Sequence, residues 1–552
     1  MYINFSNWQH KILISFPIAT LVLIFARLPE VAYLPSANPQ PGLFDKLKGL
    51  YILLPDDVMV TMRVAKFFLI SGYPGFNYSD VAQPATSFLL PIIGSVFFFL
   101  FPDNIALATV SLLGASFIVL IGYVIATTAG GRVGFGLACI WFLNSTTLRY
   151  MFSGWEILWQ SFFVLLAWAL AWNLQANNNE GFYKYGLIAV ISALAVLVRV
   201  DAVFLVLPLF LWLFLATRKK YALLSASVFV SLLLIYLYFQ FIWFGLLTPT
   251  TARLKGEHLP GLDYSLSYLF KTFKAGSSTA FIALLVPFLF LRPFLAAKNP
   301  TFWAGTAILA SSAYAFIVSD VFASGRMFLS SLALLLYVVA KNQHEIRLSC
   351  DRKLLVFISA LAMFFLSLSL GMPAVEKLSN LITRPMSPPV PIGAIPEQVV
   401  LSQYIRSTFS KSDGPIGLFY LGTISFYMMD YEITDFLGKA DESIARIQPK
   451  WGPPGHNKWD TQISLAKWNP AVIPFPSSLA LQPLSVRKEA LTKKANYAFW
   501  QDYSIELEKQ GYVFCKPYIN LDFGLYVRSD LTKKVPSCER ESISPAFQSG
   551  HS

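Results

Sequence analysis

Two adjacent carboxylates near the start of the chain are of the residue type that acid–base chemistry requires. Asp56 and Asp57 follow Pro55 and open a helical pattern that continues to Ser71. Asp56 and Arg63 are seven positions apart, nearly two helical turns, and would share one face of that helix. Adjacent side chains diverge by roughly 100° in a helix, so both carboxylates cannot easily reach one atom. We expect one to act as a base and the other as a structural or metal-binding group; the alternative is a carboxylate that only caps the helix.

Further polar residues have both a chemical and a structural interpretation. Arg199 and Asp201 are two positions apart and are either substrate ligands or an ion pair between membrane spans. Glu156 begins an apolar run, where an acid also favours the positive end of a helix. Asp320 and Arg326 flank a short turn and could pair across it. The residue types alone leave these alternatives open.

Two more candidates lie in loops. Lys255, between Arg253 and Glu257, either binds an anion or is simply solvated. His456 lies in a Pro-Gly segment, where a turn or a contact with the rest of the protein is a stronger expectation than catalysis.

The elements that must position these residues are membrane helices. Of 552 residues, 55% are apolar and 13% are charged, and the mean hydropathy is +0.55. This composition excludes a soluble globular protein and a disordered chain. The net charge of +12 arises mainly before Gly371, where 24 basic residues face 14 acidic ones, against 19 and 17 after it. A basic soluble face for nucleic acid is therefore not expected.

Apolar stretches define the predicted spans. Eleven of them approach the roughly 20 residues that cross a bilayer, and they lie at 11–29, 104–127, 133–150, 157–174, 183–198, 202–217, 221–243, 276–291, 301–318, 327–340 and 354–371. The run 88–101 is shorter and contains Pro91, so we interpret it as an interfacial or re-entrant segment.

Loop charges predict the orientation. If 88–101 does not cross and the N-terminus is cytoplasmic, the cytoplasmic loops hold twelve basic and three acidic residues. The opposite choice would place the basic clusters at 218–220 and 341–353 outside. The first topology is favoured, and it puts the polar candidates and the tail after 371 on the extracytoplasmic side.

The chain is predicted to have three parts. Residues 1–371 form a transmembrane domain, with a first outer loop at 30–103 that carries interfacial helices. Residues 372–396 are a Pro-rich linker, and 397–552 form a soluble extracytoplasmic domain of α/β or α+β type. In the tail we predict short strands at 417–429 and 523–528 and a helix at 399–409. Cys515 and Cys538 are the only cysteines in the tail, and the sequence leaves open whether they are bridged.

Polar blocks follow one another in a fixed order over residues 50–475. They are Asp56-Asp57-x5-Arg63-x-Ala65-x6-Gly72-x4-Asn77-x5-Gln83-x2-Thr86-Ser87, Ser153-Gly154-Trp155-Glu156, Arg199-Val200-Asp201-Ala202, the segment from Gly245 to Lys255, Asp435-Phe436-Leu437-Gly438, Ile444-Ala445 and Pro454-Gly455-His456-Asn457-Lys458. In this order they resemble the polytopic C-type glycosyltransferases near the mycobacterial terminal arabinofuranosyltransferases and their Gram-negative relatives. Val200 and Thr250 replace the family's usual Pro and Asn, and such departures leave the sugar open.

The apolar runs predict a polytopic helical membrane protein of about 11 spans. The resemblance implies that it has the C-type glycosyltransferase fold and transfers a sugar, with inversion, from a polyprenyl-phosphate donor. Asp56 would be the general base and Asp57 a second catalytic group, with a divalent metal such as Mg²⁺ or Mn²⁺ left open at Asp57. The phosphate would be held, in order of preference, by Lys255, Arg326, Arg199 and Arg63. Substrate contacts would come from Glu156, Asp201, Gln83, Asn77, Asp320 and His456.

These features predict an enzyme of the bacterial inner membrane whose active site and C-terminal domain lie on the periplasmic side. Its acceptor would be an extracytoplasmic glycan or glycoprotein, with no nucleic-acid partner, and arabinofuranose is the best guess for the sugar. A lipid or polysaccharide flippase or transporter is the alternative class, and a glycan polymerase or ligase remains open within the enzymes. A transporter should show repeats and polar groups at mid-span, whereas the acids here gather toward one face and the sequence shows no repeat.

Overall fold

The computed structural model describes a defined set of residues. These are 31–33, 50–52, 54–79, 82–176, 181–256, 261–274, 282, 285, 296–319, 325–345, 395–450, 455–482, 484–492, 499–516, 523–536 and 538. We call residues 54–345 the helical half and residues 395–538 the C-terminal half.

Helices make up most of the helical half, because an apolar run in a membrane must satisfy its backbone internally. They are α1 Asp56–Ser71, α2 Leu89–Leu100, α3 Asp103–Ala129, α4 Gly131–Leu143, α5 Ser145–Tyr150, α6 Glu156–Ala176, α7 Phe182–Val198, α8 Val203–Ala216, α9 Lys219–Phe244, α10 Thr250–Gly256, α11 Leu262–Lys274, α12 Pro300–Val318 and α13 Leu329–Lys341. A two-stranded antiparallel ribbon, β1 Val31–Tyr33 with β2 Leu50–Ile52, precedes them.

Four of the described helices, α3, α6, α9 and α12, are long and apolar enough to cross a membrane, and several shorter ones are also apolar. With the composition, this makes the chain a multi-pass membrane protein. Eight of the eleven predicted spans coincide with described helices, although 133–150 is divided at Asn144. The Asn144 side chain accepts the N–H groups of Thr146 and Thr147 and so caps a new helix, α5. The runs 11–29 and 354–371, and most of 276–291, lie outside the described residues.

Helix α1 packs between the two halves of the protein. Val58 and Met62 join the hydrophobic core of the helical half, whereas Val60 and Val64 join a core built mainly from the C-terminal half. The run 88–101 forms α2, which crosses α1 closely at Gly94. A Cβ at Gly94 would lie 2.8 Å from the Cβ of Ala65, so glycine permits the approach.

The C-terminal half is built on a five-stranded mixed sheet of order β4-β3-β5-β7-β6. The strands are β3 Ile416–Leu418, β4 Ile433–Asp435, β5 Val472–Pro476, β6 Val513–Cys515 and β7 Phe523–Val527. β3 runs parallel to β4 and β5, while β7 is antiparallel to β5 and β6. The flanking helices are α14 Ile395–Thr408, α15 Gly422–Tyr427, α16 Glu442–Ala445, α17 Thr461–Trp468, α18 Ser477–Ala480, α19 Leu484–Thr492 and α20 Phe499–Lys509.

Three predictions for the tail can be compared with these elements. The helix at 399–409 corresponds to α14, and the strand at 523–528 to β7. The prediction of strand over 417–429 was wrong beyond Leu418, because residues 422–427 form helix α15 against α1. A short apolar run has the same sequence pattern in a buried strand and a buried helix. Cys515 and Cys538 form a disulfide, which answers the question that the sequence left open.

Candidate functional site

Asp56 is the first residue of α1, directly after Pro55. Neither carboxylate caps the helix, because Pro55 is the N-cap and no side chain bonds to the cap position. Instead, Oδ1 of Asp56 accepts the backbone N–H of Gly422 in the C-terminal half, 2.7 Å away. A Cβ at position 422 would lie 2.3 Å from that oxygen, so only glycine allows this contact. The half-buried Asp56 thus lies where the two halves meet.

Asp57 contacts two cations from distant parts of the chain. Its Oδ1 is 2.7 Å from Nζ of Lys439, and its Oδ2 is 3.3 Å from a guanidinium nitrogen of Arg326. Lys439 belongs to the C-terminal half and Arg326 to the turn before α13. We call Asp56, Asp57, Arg326 and Lys439 the junction site; its two negative and two positive charges balance.

Lys439 is held by a tight loop after β4. The buried carboxylate of Asp435 accepts the N–H groups of Leu437, at 2.9 Å, and Ala440, at 2.5 Å. Between them, Gly438 adopts a φ of 80°, a left-handed conformation that favours glycine. This loop fixes the backbone on both sides of Lys439 and directs its side chain to Asp57. Sequence reasoning missed Lys439, although it directly follows the block Asp435-Phe436-Leu437-Gly438.

The electrostatics of the junction site favour a carboxylate that can exchange a proton near neutral pH. Burial raises the pKa of Asp56 to about 6; the charge of Lys439 and the Gly422 N–H oppose this, while the charge of Asp57 adds to it. Desolvation disfavours the charged form of Lys439, yet Asp57 and Asp56 raise its pKa above the ordinary value. Lys439 therefore stays cationic while Asp56 titrates.

Arg326 is positioned by an aromatic face. Its guanidinium lies 4.1 Å from the ring centre of Trp155, within range for a cation–π contact. Trp155 in turn stacks on Tyr150 with ring centres 4.5 Å apart. Asp320, the other residue that the sequence suggested could pair with Arg326, lies outside the described residues.

Arg199, Glu156 and Asp201 form a second charged group, which we call the Arg199 cluster. Arg199 binds Asp201 through two nitrogens, at 3.0 and 3.2 Å, and Glu156 through a third, at 2.9 Å. The ion-pair interpretation is therefore the one that the structure shows. Gln160 continues the group by donating to Asp201 at 3.4 Å. The cluster uses its own charges on one another, so we do not assign Arg199 to the donor phosphate.

Arg63 requires a correction. It is fully buried, and its guanidinium donates to the backbone carbonyls of Phe76, Ser425, Met428 and Tyr431. Asp56 lies on α1 as expected, but the packing of the C-terminal half turns Arg63 into a structural link between the halves. Asn77 has a similar role, since its amide donates to the carbonyl of Ile433 at 2.8 Å and accepts its N–H at 3.1 Å.

Gln83 lies at a third polar contact, near the start of α10. The buried Gln83 side chain accepts from Gln240, and its backbone N–H donates to Thr250 at 3.4 Å. Glu442 of the C-terminal half accepts from Thr250 at 3.1 Å and from Arg253 at 3.0 Å. This contact joins the two halves but does not include the junction carboxylates.

Lys255 and His456 are the two remaining candidates. The backbone of Lys255 belongs to α10, but its side chain lies outside the described residues. Its contact with a phosphate therefore stays a prediction. The ring of His456 lies 6.1 Å from that of Tyr420 in the C-terminal half, and its proposed contact with substrate stays a prediction.

The described residues do not suit a divalent metal at Asp57. Among them, no group of three or more His, Cys, Asp or Glu side chains is placed to hold one. Both oxygens of Asp57 face cations, so a metal ion would meet two positive charges at short range.

Comparison with known proteins defines the fold. No protein-family model matches the sequence, and no curated protein matches it. Among solved structures, ArnT from Cupriavidus metallidurans, in the apo state, has a TM-score of 0.56 at 12% identity, with 95% of this chain and 99% of that chain covered. The archaeal oligosaccharyltransferase AglB from Archaeoglobus fulgidus, in complex with an inhibitory peptide and a dolichol-phosphate, has a TM-score of 0.49 at 12% identity, with 94% and 74% covered. Arabinofuranosyltransferase AftD from Mycobacteria has 0.35 at 16% identity, with 74% and 29% covered.

The likeness to ArnT agrees with the fold that the sequence blocks implied, and at 12% identity it concerns the fold alone. The superposition on ArnT extends over nearly the whole of both chains. This chain therefore shares the fold of ArnT, with apolar helices joined to a C-terminal sheet.

Proposed function

We propose that this chain is a membrane glycosyltransferase that moves a sugar from a polyprenyl-phosphate donor to a hydroxyl of an extracytoplasmic glycan or glycoprotein, with inversion. The observation that carries the proposal is the junction site. It combines Asp56, a carboxylate of raised pKa, with the neighbouring Asp57, which contacts the cations Lys439 and Arg326. A lipid-linked donor would keep its tail in the bilayer beside the helical half.

Asp56 acts as the general base in this mechanism. As the acceptor oxygen bonds to the anomeric carbon, the carboxylate takes the hydroxyl proton, and the bond from that carbon to the phosphate oxygen breaks. A carboxylate with a pKa of about 6 is ionised at neutral pH and still basic enough to accept the proton. The N–H of Gly422 holds Oδ1, which fixes the carboxylate in one orientation.

Arg326 and Lys439 act on the leaving group. A phosphate monoester departs without a proton but gains negative charge, and fixed cations stabilise that charge more in the transition state than in the ground state. Asp57 is a positioning residue that holds both cations. Lys255, on α10, remains a proposed additional phosphate ligand.

The acceptor, sugar and membrane side are finer points of the same proposal. Arabinofuranose is the sugar that the sequence resemblance favours, and the C-terminal half and junction site are proposed to face the periplasm of a bacterial inner membrane. Reporter fusions at Lys219 and His344 should then report the cytoplasm, and fusions at Glu257 and after Pro389 the exterior. A cytoplasmic C-terminal half would contradict this arrangement.

Glycan analysis of a deletion strain tests the function directly. Loss of one terminal sugar from an envelope glycan, restored by the wild-type chain but not by Asp56→Asn, is the expected result. Asp103→Asn provides a matched control, since Asp103 pairs with Lys66 away from the junction site. An unchanged glycan profile together with accumulation of a lipid-linked precursor in one leaflet would point to a transporter.

A further inference from the structure

The junction site contains cations where a glycosyl-transfer site could hold a metal ion. Asp57 is the one candidate metal ligand that the sequence suggested, and both of its oxygens contact protein cations. Lys439 also lies within electrostatic range of Asp56, whose charge raises the pKa of that lysine. A single ammonium group thus interacts with two adjacent carboxylates, as a bridging metal ion would.

We infer that Lys439, with Arg326, replaces a divalent cation, so that this site neutralises the leaving phosphate without metal. The part about the leaving group rests on the proposed function; the part about metal binding does not. The position of Lys439 supports the inference, because its side chain is largely buried, with 18% exposed, and contacts Asp57 at 2.7 Å. Burying a lysine is costly unless its charge is paired.

The loop around Lys439 supports the same conclusion. Asp435 is a buried carboxylate near Lys439, yet it accepts two backbone N–H groups of its own loop. Its oxygens therefore serve to shape the loop and are not directed at an ion. The carboxylate that the C-terminal half could have offered to a metal is used instead to hold a lysine in place.

Metal binding can be measured without any substrate. Purified full-length protein, stripped with EDTA, would be titrated with Mn²⁺ and followed by the electron paramagnetic resonance signal of free Mn²⁺. Wild type should leave the signal unchanged, whereas Lys439→Ala should bind about one equivalent, because Arg326 alone then faces the two carboxylates and one negative charge is left unbalanced. Lys534→Ala is the matched control; it removes a lysine that pairs with Asp413 on the surface of the C-terminal half and should bind none.

Activity gives the second arm of the test. EDTA should leave wild-type transfer within about twofold, and Lys439→Ala should lower turnover by about 10²–10³-fold, the range for loss of one electrostatic donor. Mn²⁺ should restore part of that loss in Lys439→Ala only. Lys439→Arg, which keeps the charge, should retain more activity than Lys439→Ala and controls for misfolding.

Two results would overturn the inference. One is a wild-type protein that binds one Mn²⁺ and loses it in Asp57→Asn; the other is wild-type transfer that EDTA abolishes and Mn²⁺ restores. If no donor supports transfer in any variant, the proposed function fails, while the Mn²⁺ titration still decides whether Lys439 excludes a metal.

Discussion

The two charged groups of this protein differ in how they are assembled. The Arg199 cluster joins residues of the helical half only, and its side chains are 8–12% exposed. The junction site joins Asp57 to residues 269 and 382 positions away, and Asp57 is 27% exposed. A closed cluster whose charges satisfy one another suits stability, whereas an accessible one built between two halves can change partners when substrate binds.

The largest effect on turnover should follow Asp56→Asn, because it removes the proton acceptor and keeps the shape. General-base catalysis contributes about 10²–10⁴-fold, so we expect a loss of that size with an unchanged melting temperature. The measurement is single-turnover transfer, with Asp103→Asn as control. Near-normal turnover would show that the junction site is not catalytic through Asp56, and that Asp56 is only a structural contact to Gly422.

Arg199→Ala should show the opposite pattern, because it leaves Glu156 and Asp201 buried without their cation. Breaking a buried pair in this way costs about 3–5 kcal/mol. Thermal unfolding in detergent should reveal the loss, and Arg199→Lys should recover part of it. An Arg199→Ala protein of normal stability that no longer binds donor would mean that the cluster is a substrate site after all.

Gly422→Ala tests whether the contact between the halves positions the base. The added methyl would lie 2.3 Å from Oδ1 of Asp56, so the carboxylate or α15 must move. A misplacement of about 1 Å can lower turnover by about 10²-fold. Gly136→Ala is a suitable control, as no atom lies within 4 Å of a Cβ at that position. Equal activity of the two variants would show that Asp56 does not depend on this contact.

The pH dependence of transfer should follow the charges that surround Asp56. Transfer requires ionised Asp56, so the rate should fall by about tenfold per pH unit below about pH 6. Asp57→Asn removes a like charge and should move this limb to lower pH, whereas Lys439→Gln should move it to higher pH. Because the folded-state pKa of Asp56 lies above its ordinary value of 3.8, the same group should make the protein less stable as pH rises from about 4 to 6. If Asp57→Asn and Lys439→Gln moved the acidic limb of the rate profile in the same direction, the assignment of that limb to Asp56 would be contradicted.

The smallest effect is expected for Arg253→Ala. Its pairing with Glu442 joins the two halves outside the junction site, and the two side chains are 21% and 16% exposed. A pair of this kind contributes roughly 0.2–1 kcal/mol, so the melting temperature should fall slightly and turnover should stay within a few-fold. A large loss of turnover would instead extend the functional region to α10, where Lys255 also lies.

The helices were predictable because their cause is local. Long uncharged apolar runs such as 104–127 and 221–243 must form helices in a membrane, and α3 and α9 match them closely. In the tail, local sequence was not enough to predict the secondary structure. Residues 422–427 form a helix because α1 covers them, and no neighbour in sequence carries that information.

The sequence also determined which residue types the site would use. Asp56, Asp57 and Arg326 were identified from residue type and order, and the structure pairs Arg326 with Asp57, the neighbour of Asp56 on α1. The same reasoning placed Arg63 and Arg199 with the phosphate and missed Lys439. Arg63 and Arg199 were expected to bind substrate because a charged side chain in such a segment suggests a function. Lys439 was missed although it directly follows a recognised block.

Only the tertiary structure decided what each charge does. A cation in a membrane protein takes the partners that packing brings near it, and these come from anywhere in the chain. Arg63 donates to carbonyls of the C-terminal half. Arg199, at the end of α7, pairs with Glu156 at the start of α6, and Lys439 pairs with Asp57, which is 382 positions away in the chain. Because the energy of a charge depends on its burial and its nearest partners, the roles of these side chains were fixed by the contact between the two halves.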